Sequence, residues 1–176
     1  MLELAEDLLK FAKKEGAKQE SSKKQETKQG LINFQVISSS NSLEFGENFK
    51  KLYVMKNPPY FDKELYRTLR PYTSEDMKNL ISKVHTLKND NFPKNKLQAL
   101  QEAVFLDHGN STLSSIAVLS RLKAEQKKNI IEVFNTFANI AGINKWAKWE
   151  VFPWFSHNSN YYNPFLDIAE IFDFIS

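Results

Sequence analysis

From Thr73 onward the apolar positions recur at intervals of three and four, with polar residues between them. That spacing predicts α-helices. Met77, Leu80, Ile81, Val84 and Leu87 form the first stripe. Thr73-Ser-Glu-Asp76 supplies its start, a hydroxyl to accept an orphan amide and acids in the first turn. KNDN breaks the chain, and Pro93 opens a second helix with Leu97, Leu100 and Val104 inward and Gly109 as its end. Ser111 or Thr112 is expected to cap a third, whose stripe is Leu113, Ile116, Leu119 and Leu122. A fourth runs through Ile130, Ile131, Phe134, Phe137 and Ile140, with Gly142 closing it. Asn163-Pro164 starts a last helix, PFLDIAEIFDFI, which is apolar on nearly every side. Such a helix is either central in its own fold or completed by another chain.

The first seventy residues read differently. Leu2, Leu8, Leu9 and Phe11 share one face, with Ala5 and Ala12 beside them, so residues 1–12 predict a tethered amphipathic helix. Residues 13–30 hold one apolar side chain, Ala17, and read as a flexible polar linker, because so little apolar surface does not offset the entropy of ordering. LINFQVI, residues 31–37, is short, β-branched and roughly alternating, which suggests a strand or extended arm. Ser42 is placed to cap a helix over residues 43–55 that Pro58-Pro59 stops. FDKELYRTL has Phe61, Leu65 and Leu69 four apart and predicts another helix, ended by Pro71.

The expected fold is therefore mainly α: a helical bundle or a short α-solenoid of helical hairpins, with a short extended segment near residues 31–37. One mainly helical domain spans 31–176. Met77 and Leu80 precede Ile116 and Leu119 by 39 positions. A period near forty is that of HEAT-type and armadillo-type repeats, although any two helical hairpins align about as well.

Composition narrows the function classes. The chain of 176 residues has no cysteine, so disulfides, zinc–thiolate sites and cysteine nucleophiles are excluded. No run approaches the roughly 18–20 apolar residues of a membrane helix. The N-terminus has neither a signal nor a transit pattern, which leaves the cytoplasm as the default location. Net charge is +3, and only three of the 24 basic residues are Arg. Nucleic-acid readers lean on Arg for bidentate contacts, so the surface lysines of residues 50–128 support nucleic-acid binding only as an alternative.

Sites for chemistry are sparse. The histidines are His85, His108 and His157, and none pairs with a second ligand at helical metal spacing. There is no glycine-rich phosphate loop, nucleophile elbow or zinc-binding helix signature, and no cofactor or metal is implied. A small hydrolase-like site near Asp107, His108 and His157 is the enzymatic alternative. Asn110-Ser-Thr112 matches a glycosylation sequon and reads more simply as a helix start.

The densest feature is NKWAKWEVFPWFSHNSNYYNPF, residues 144–165, which holds all three tryptophans. Trp146, Trp149 and Phe152 fall at helical spacing and continue the core stripe of Phe134, Phe137 and Ile140. Trp154, Phe155, Tyr161 and Tyr162 flank the polar insert SHNSN. One domain of this size does not easily bury eight clustered aromatics, and exposed apolar patches ringed by polar groups mark interaction sites. Those four aromatics, with Leu2, Leu8, Leu9 and Phe11, are thus the expected partner-binding residues. LKAEQKKNIIEVF, KWEVFPWF and NPFLDIAEIF are faintly similar to the opening helices of PUL domains. Those are armadillo-type modules of ubiquitin-pathway adaptors that bind an AAA ATPase. The resemblance covers roughly the last 55 residues, the aromatic insert interrupts it, and it implies no site residues. The function expected from these readings is non-enzymatic: a protein–protein interaction module, adaptor or subunit of a larger assembly.

Overall fold

The computed structural model describes residues 2–22, 30–36, 51–56, 63–140, 152–157 and 159–175. The chain is mainly α-helical with small β-sheets. Its helices are α1 (Leu2–Ser22), α2 (Ser74–Asn89), α3 (Lys94–Ala103), α4 (His108–Ser120), α5 (Ala124–Ile140) and α6 (Phe165–Phe172). Its strands are β1 (Leu31–Ile32), β2 (Val54–Met55), β3 (Leu65–Tyr66), β4 (Tyr72–Thr73), β5 (Phe155–His157) and β6 (Asn160–Tyr162).

The helix signals from Thr73 onward hold at most positions. Thr73 caps α2, its hydroxyl accepting from Asp76 N at 3.1 Å. Leu80, Val84 and Leu87 of the first stripe are buried, Met77 is half-buried and Ile81 is exposed. Asn91 adopts φ 52° beyond the end of α2, a left-handed conformation that Asn tolerates after a helix. Pro93 then opens α3, whose Leu97 and Leu100 are buried. In α5, Ile130, Phe134 and Phe137 are buried as the pattern predicts. Asn163 Oδ1 accepts from Phe165 N at 2.9 Å just before α6, whose N-cap position is Pro164 and not Asn163. Gly142 lies outside the described residues.

Several readings are corrected. The helical stretch 2–12 continues unbroken to Ser22, so residues 13–22 are not linker. Their Lys, Glu, Gln and Ala are good helix formers whether or not they bury anything, and 23–29 lie outside the described residues. FDKELYRTL is not a helix where it is described. Leu65–Tyr66 is a strand, pairing antiparallel with β2 and parallel with β6, so sheet pairing overrides the four-residue spacing. Gly109 does not end α3, which stops at Ala103, but lies inside the next helix. That helix is capped by Asp107, whose Oδ1 accepts from Asn110 N at 3.0 Å, and not by Ser111 or Thr112. Of the helix expected over 43–55, residues 51–55 are described: 51–53 are helical, but Val54–Met55 is strand β2, paired with β3.

Two small sheets tie distant segments together. β1 pairs antiparallel with β4, Leu31 opposite Thr73 and Ile32 opposite Tyr72, which bears out an extended segment at the start of 31–37. α1 packs back on β1. Ala12 is buried, and a Cβ on Gly16 would stand 3.5 Å from the Leu31 side chain. The second sheet has the order β2-β3-β6-β5. Its β3–β6 pair is parallel, with Tyr161 N donating to Glu64 O and Asn163 N donating to Tyr66 O. α6 lies at the centre, against both α2 and α3, while α2 also packs on α5 and α3 on α4. An apolar helix with neighbours on several sides needs no second chain to cover it.

Candidate functional site

α4 is built the wrong way round for a core helix. Its sequence predicts that Leu113, Ile116 and Leu119 face inward. The structure buries Ser111 and Ser115 completely instead, leaves Leu113 68% and Ile116 45% exposed, and half-buries Leu119. A helix capped at Asp107 sets its phase by what Ser111 must do. Ser111 Oγ accepts from the indole Nε1 of Trp154 at 3.0 Å. A buried Trp N–H without an acceptor is costly, and this hydrogen bond holds the serine side of the helix against the core. Leu113 and Ile116 then turn outward, while Val118 and Leu119 stay partly packed on the core. Phe105 and Leu106, each 41% exposed, extend the patch from the α3–α4 turn. Arg67 lies over the Phe105 ring at 4.9 Å and donates through Nε to Val104 O at 3.0 Å, fixing that turn.

The aromatics expected to bind a partner are placed otherwise. Trp154 and Phe155 are fully buried, which removes them from any surface. Phe155 belongs to a ring cluster in which Phe134 meets Phe152, Phe155 and Phe165 at centroid distances of 5.2–6.2 Å, and Trp154 lies in the same core. The domain buries them because the β5–β6 hairpin, turned at Ser159 with φ 65°, folds onto α5 and α6. Tyr161 and Tyr162 are half-buried. Tyr162 stacks on Tyr66 at 4.8 Å across the parallel pair, and Tyr161 lies edge-on to His108 at 4.8 Å. Trp146 and Trp149 lie outside the described residues. In α1, Leu9 is exposed, Leu8 and Phe11 are half-buried, and the Leu2 side chain lies outside the described residues.

The Asp107–His108–His157 grouping gains little from the structure. Asp107 spends its carboxylate on the cap of α4, accepting from Asn110 N and from Asn110 Nδ2 at 2.6 Å. The same hydrogen bonds hold its pKa below the ordinary value. His108 is half-buried beside Trp154 and Tyr161, and burial lowers its pKa while Asp107 opposes that shift. The His157 side chain lies outside the described residues. His85 is exposed and meets Asn89 at 3.0 Å. No group of three His, Asp or Glu stands in metal-binding arrangement among the described residues. Of the surface lysines, Lys94 pairs with Asp173 at 2.7 Å and Lys128 with Glu132 at 3.8 Å.

A buried polar network surrounds Asp167 of α6. Asp167 accepts from Thr68 Oγ1, Leu69 N, Arg70 Nε and Tyr72 OH, the first three at 2.7–2.9 Å. Arg70 NH2 stands 2.8 Å from both Asp167 and Glu170, and its guanidinium lies between the Phe34 and Tyr53 rings at 4.4 and 4.3 Å. Burial works against the Arg70 charge, but Asp167 and Glu170 outweigh it and raise its pKa. Burial raises the Glu170 pKa, and Arg70 only partly opposes this. One guanidinium serves two carboxylates, with Glu170 at the edge of the enclosure, and the network joins segment 67–73 to α6. Its geometry is that of a structural joint.

Two features escaped sequence reasoning. Asp167 sits inside an apolar helix, and a lone buried acid there is a signal for a buried cation elsewhere. The outward turn of α4 had its clue in Ser111 and Ser115, four apart, with Asp107 placed to cap. The chain matches no protein-family model, no curated protein and no solved structure. Among the described residues no helix is long and apolar enough to cross a membrane.

Proposed function

We propose that this chain is a non-enzymatic interaction module, an adaptor or a subunit of a larger assembly, and that its binding surface is the outward face of α4. The observation that carries the reading is the inversion of that helix. Leu113 and Ile116 stand exposed while Ser111 and Ser115 are buried. Folding alone favours the opposite phase, since burying a Leu or Ile side chain is worth about 1.5–3 kcal/mol. A helix that forgoes this burial presents apolar surface for another molecule to cover. The central position of α6 supports a compact bundle in preference to a solenoid, so α4 lies on its flank.

Leu113→Asp together with Ile116→Ser tests the reading. The doubly substituted chain is expected to keep its helical circular dichroism and thermal midpoint. It is expected to lose the proteins that co-purify with the wild-type chain from cells expressing it. Recovery of the same partners by both forms would sink the proposal.

A further inference from the structure

Arg67 and Arg70 are both buried, 5% and 6% exposed, but only one of them has acids. Arg70 has Asp167 and Glu170 at 2.8 Å. Arg67 has two neutral acceptors, Val104 O for its Nε at 3.0 Å and Leu52 O for its Nη1 at 3.1 Å, and the Phe105 ring at 4.9 Å. Among the described residues no carboxylate makes an ion pair with it, and burial lowers its pKa with no acid opposing the shift. A guanidinium carries five N–H donors. Those two hydrogen bonds leave one donor on Nη1 and both on Nη2 unused. Nη2 is not among the sealed unpaired atoms of the interior, so this edge of the group opens to solvent. Buried charges are ordinarily paired, and this one is not. We infer that Arg67 is a receptor for a carboxylate, and that the carboxylate is carried by an apolar stretch of a partner polypeptide. The inference goes beyond the reading of α4 and does not depend on it.

The geometry of the unused donors selects a carboxylate. The Nη1–Nη2 edge of a guanidinium is a planar fork that matches two carboxylate oxygens. The rim selects an apolar carrier. Arg67 touches residues 52 and 105, and the side chains of Leu52, Phe105 and Leu106 are 42%, 41% and 41% exposed. A phosphate site gathers further cations, and here they are engaged elsewhere. Lys63 lies over the Tyr161 ring at 4.7 Å, and Lys56 pairs with Glu64 at 3.7 Å. Net charge plays no part in the choice. Glu102 and Asp107 flank the turn in sequence, yet neither neutralises Arg67. Asp107 spends both oxygens on Asn110, and Glu102 makes no ion pair among the described residues. The occupant is chosen by directed N–H groups at the base of an apolar rim. A charge-assisted pair shielded in this way is stronger than one on an open surface.

The full chain, labelled with nitrogen-15, would be titrated at fixed ionic strength with three probes: N-acetyl-leucine, N-acetyl-leucinamide and inorganic phosphate. N-acetyl-leucine joins a carboxylate to an apolar side chain, the amide removes the charge, and phosphate removes the apolar part. N-acetyl-leucine is expected to shift the Arg67 Nε–H signal and the Phe105 and Leu106 amides, with a dissociation constant on the order of millimolar for so small a ligand. Each of the other two is expected to bind at least about tenfold more weakly. Arg67→Lys keeps the charge but loses the fork and is expected to weaken N-acetyl-leucine about tenfold. Should that variant fail to fold, Leu106→Ser, at an exposed position, carries the test and is expected to weaken binding severalfold. Absence of a saturable shift overturns the inference, because water alone then solvates the guanidinium. Equal binding of the amide overturns it in favour of a purely apolar contact. Phosphate binding as tight as N-acetyl-leucine overturns it in favour of a general oxyanion site. Binding unmoved by both substitutions places the probe elsewhere and overturns it too. None of these outcomes bears on Leu113 and Ile116, whose test is the loss of co-purifying proteins.

Discussion

Arg70 and Asp167 lie 97 positions apart in sequence and meet at 2.8 Å with their side chains 1% and 0% exposed. Neither is tolerable alone at that depth. An ion taken out of water loses several kcal/mol of solvation, which only a well-made pair with further hydrogen bonds offsets. Asp167 has those additional donors in Thr68, Leu69 and Tyr72, and Arg70 has the Phe34 carbonyl at 2.7 Å and two aromatic faces. Asp167→Asn should therefore destabilise the protein by about 1–3 kcal/mol, because a neutral amide is a poorer acceptor for Arg70, Thr68, Leu69 N and Tyr72 and leaves Glu170, at 2.8 Å, as the remaining counter-charge. Replacing both, Arg70→Met with Asp167→Leu, should cost more, because Thr68, Leu69 N and Tyr72 then lack an acceptor and Glu170 lacks its cation. Urea denaturation decides it, and a single substitution that costs under about 1 kcal/mol would show that water reaches the guanidinium.

Two leucines on neighbouring helices should respond differently to the same truncation. Leu113→Ala, on the exposed face, should change monomer stability by no more than about 0.5 kcal/mol. Leu97→Ala, at a buried position of the neighbouring helix, should cost about 2–5 kcal/mol. Equal losses at the two sites would mean that Leu113 is covered in solution.

Ser111 and Ser115 are both solvent-free, yet they should part company. Ser111 accepts from Trp154 Nε1 at 3.0 Å, while Ser115 Oγ has no hydrogen-bond partner among the described residues. Ser111→Ala leaves the indole unpaired and should destabilise by about 1–3 kcal/mol. Ser115→Ala should be neutral or stabilising. Thermal melts of the two variants make the comparison. A destabilising Ser115→Ala would reveal a bound water at that hydroxyl.

His108 makes stability depend on pH. Its folded pKa is lowered from 6.5, burial being the main cause. The contribution is therefore present above pH 6.5 and is lost as pH falls through the folded value. His108→Gln should flatten the acid side of the stability profile between neutral pH and pH 5, as followed by chemical denaturation at fixed ionic strength. A profile unchanged by the substitution would assign that dependence to other groups.

Much of the fold was legible because its helices carry local signals. Thr73 with Asp76 and Pro93 announce helix starts, and the stripes of α2 and α5 are regular. The failures share one cause, that tertiary partners outweigh local spacing. Leu65 and Leu69 have helical spacing, but Leu65–Tyr66 gains strands on both sides, one of them ninety-odd residues away. Trp154 reads as surface because so many aromatics crowd nearby, yet a serine on α4 gives its indole a partner and the core accepts it. The candidate surface was misread for the same reason. Leu113 and Ile116 look like core residues until the buried side of their helix is seen to be chosen by Ser111.

The parallel pairing of β3 with β6 also sets the order of assembly. Helices α2 to α5 form from neighbouring residues, whereas this pairing and the Arg70–Asp167 joint close a loop of nearly a hundred positions. Loop-closure entropy is met before such contacts reward it, so non-local pairings slow folding. The helices can be built early, but the guanidinium of Arg70 has no counter-ion until α6 docks. Until then the segment 63–73 is an open strand edge beside an unmatched charge. Segment 160–172 acts as the latch that turns a set of helices into one cooperative unit.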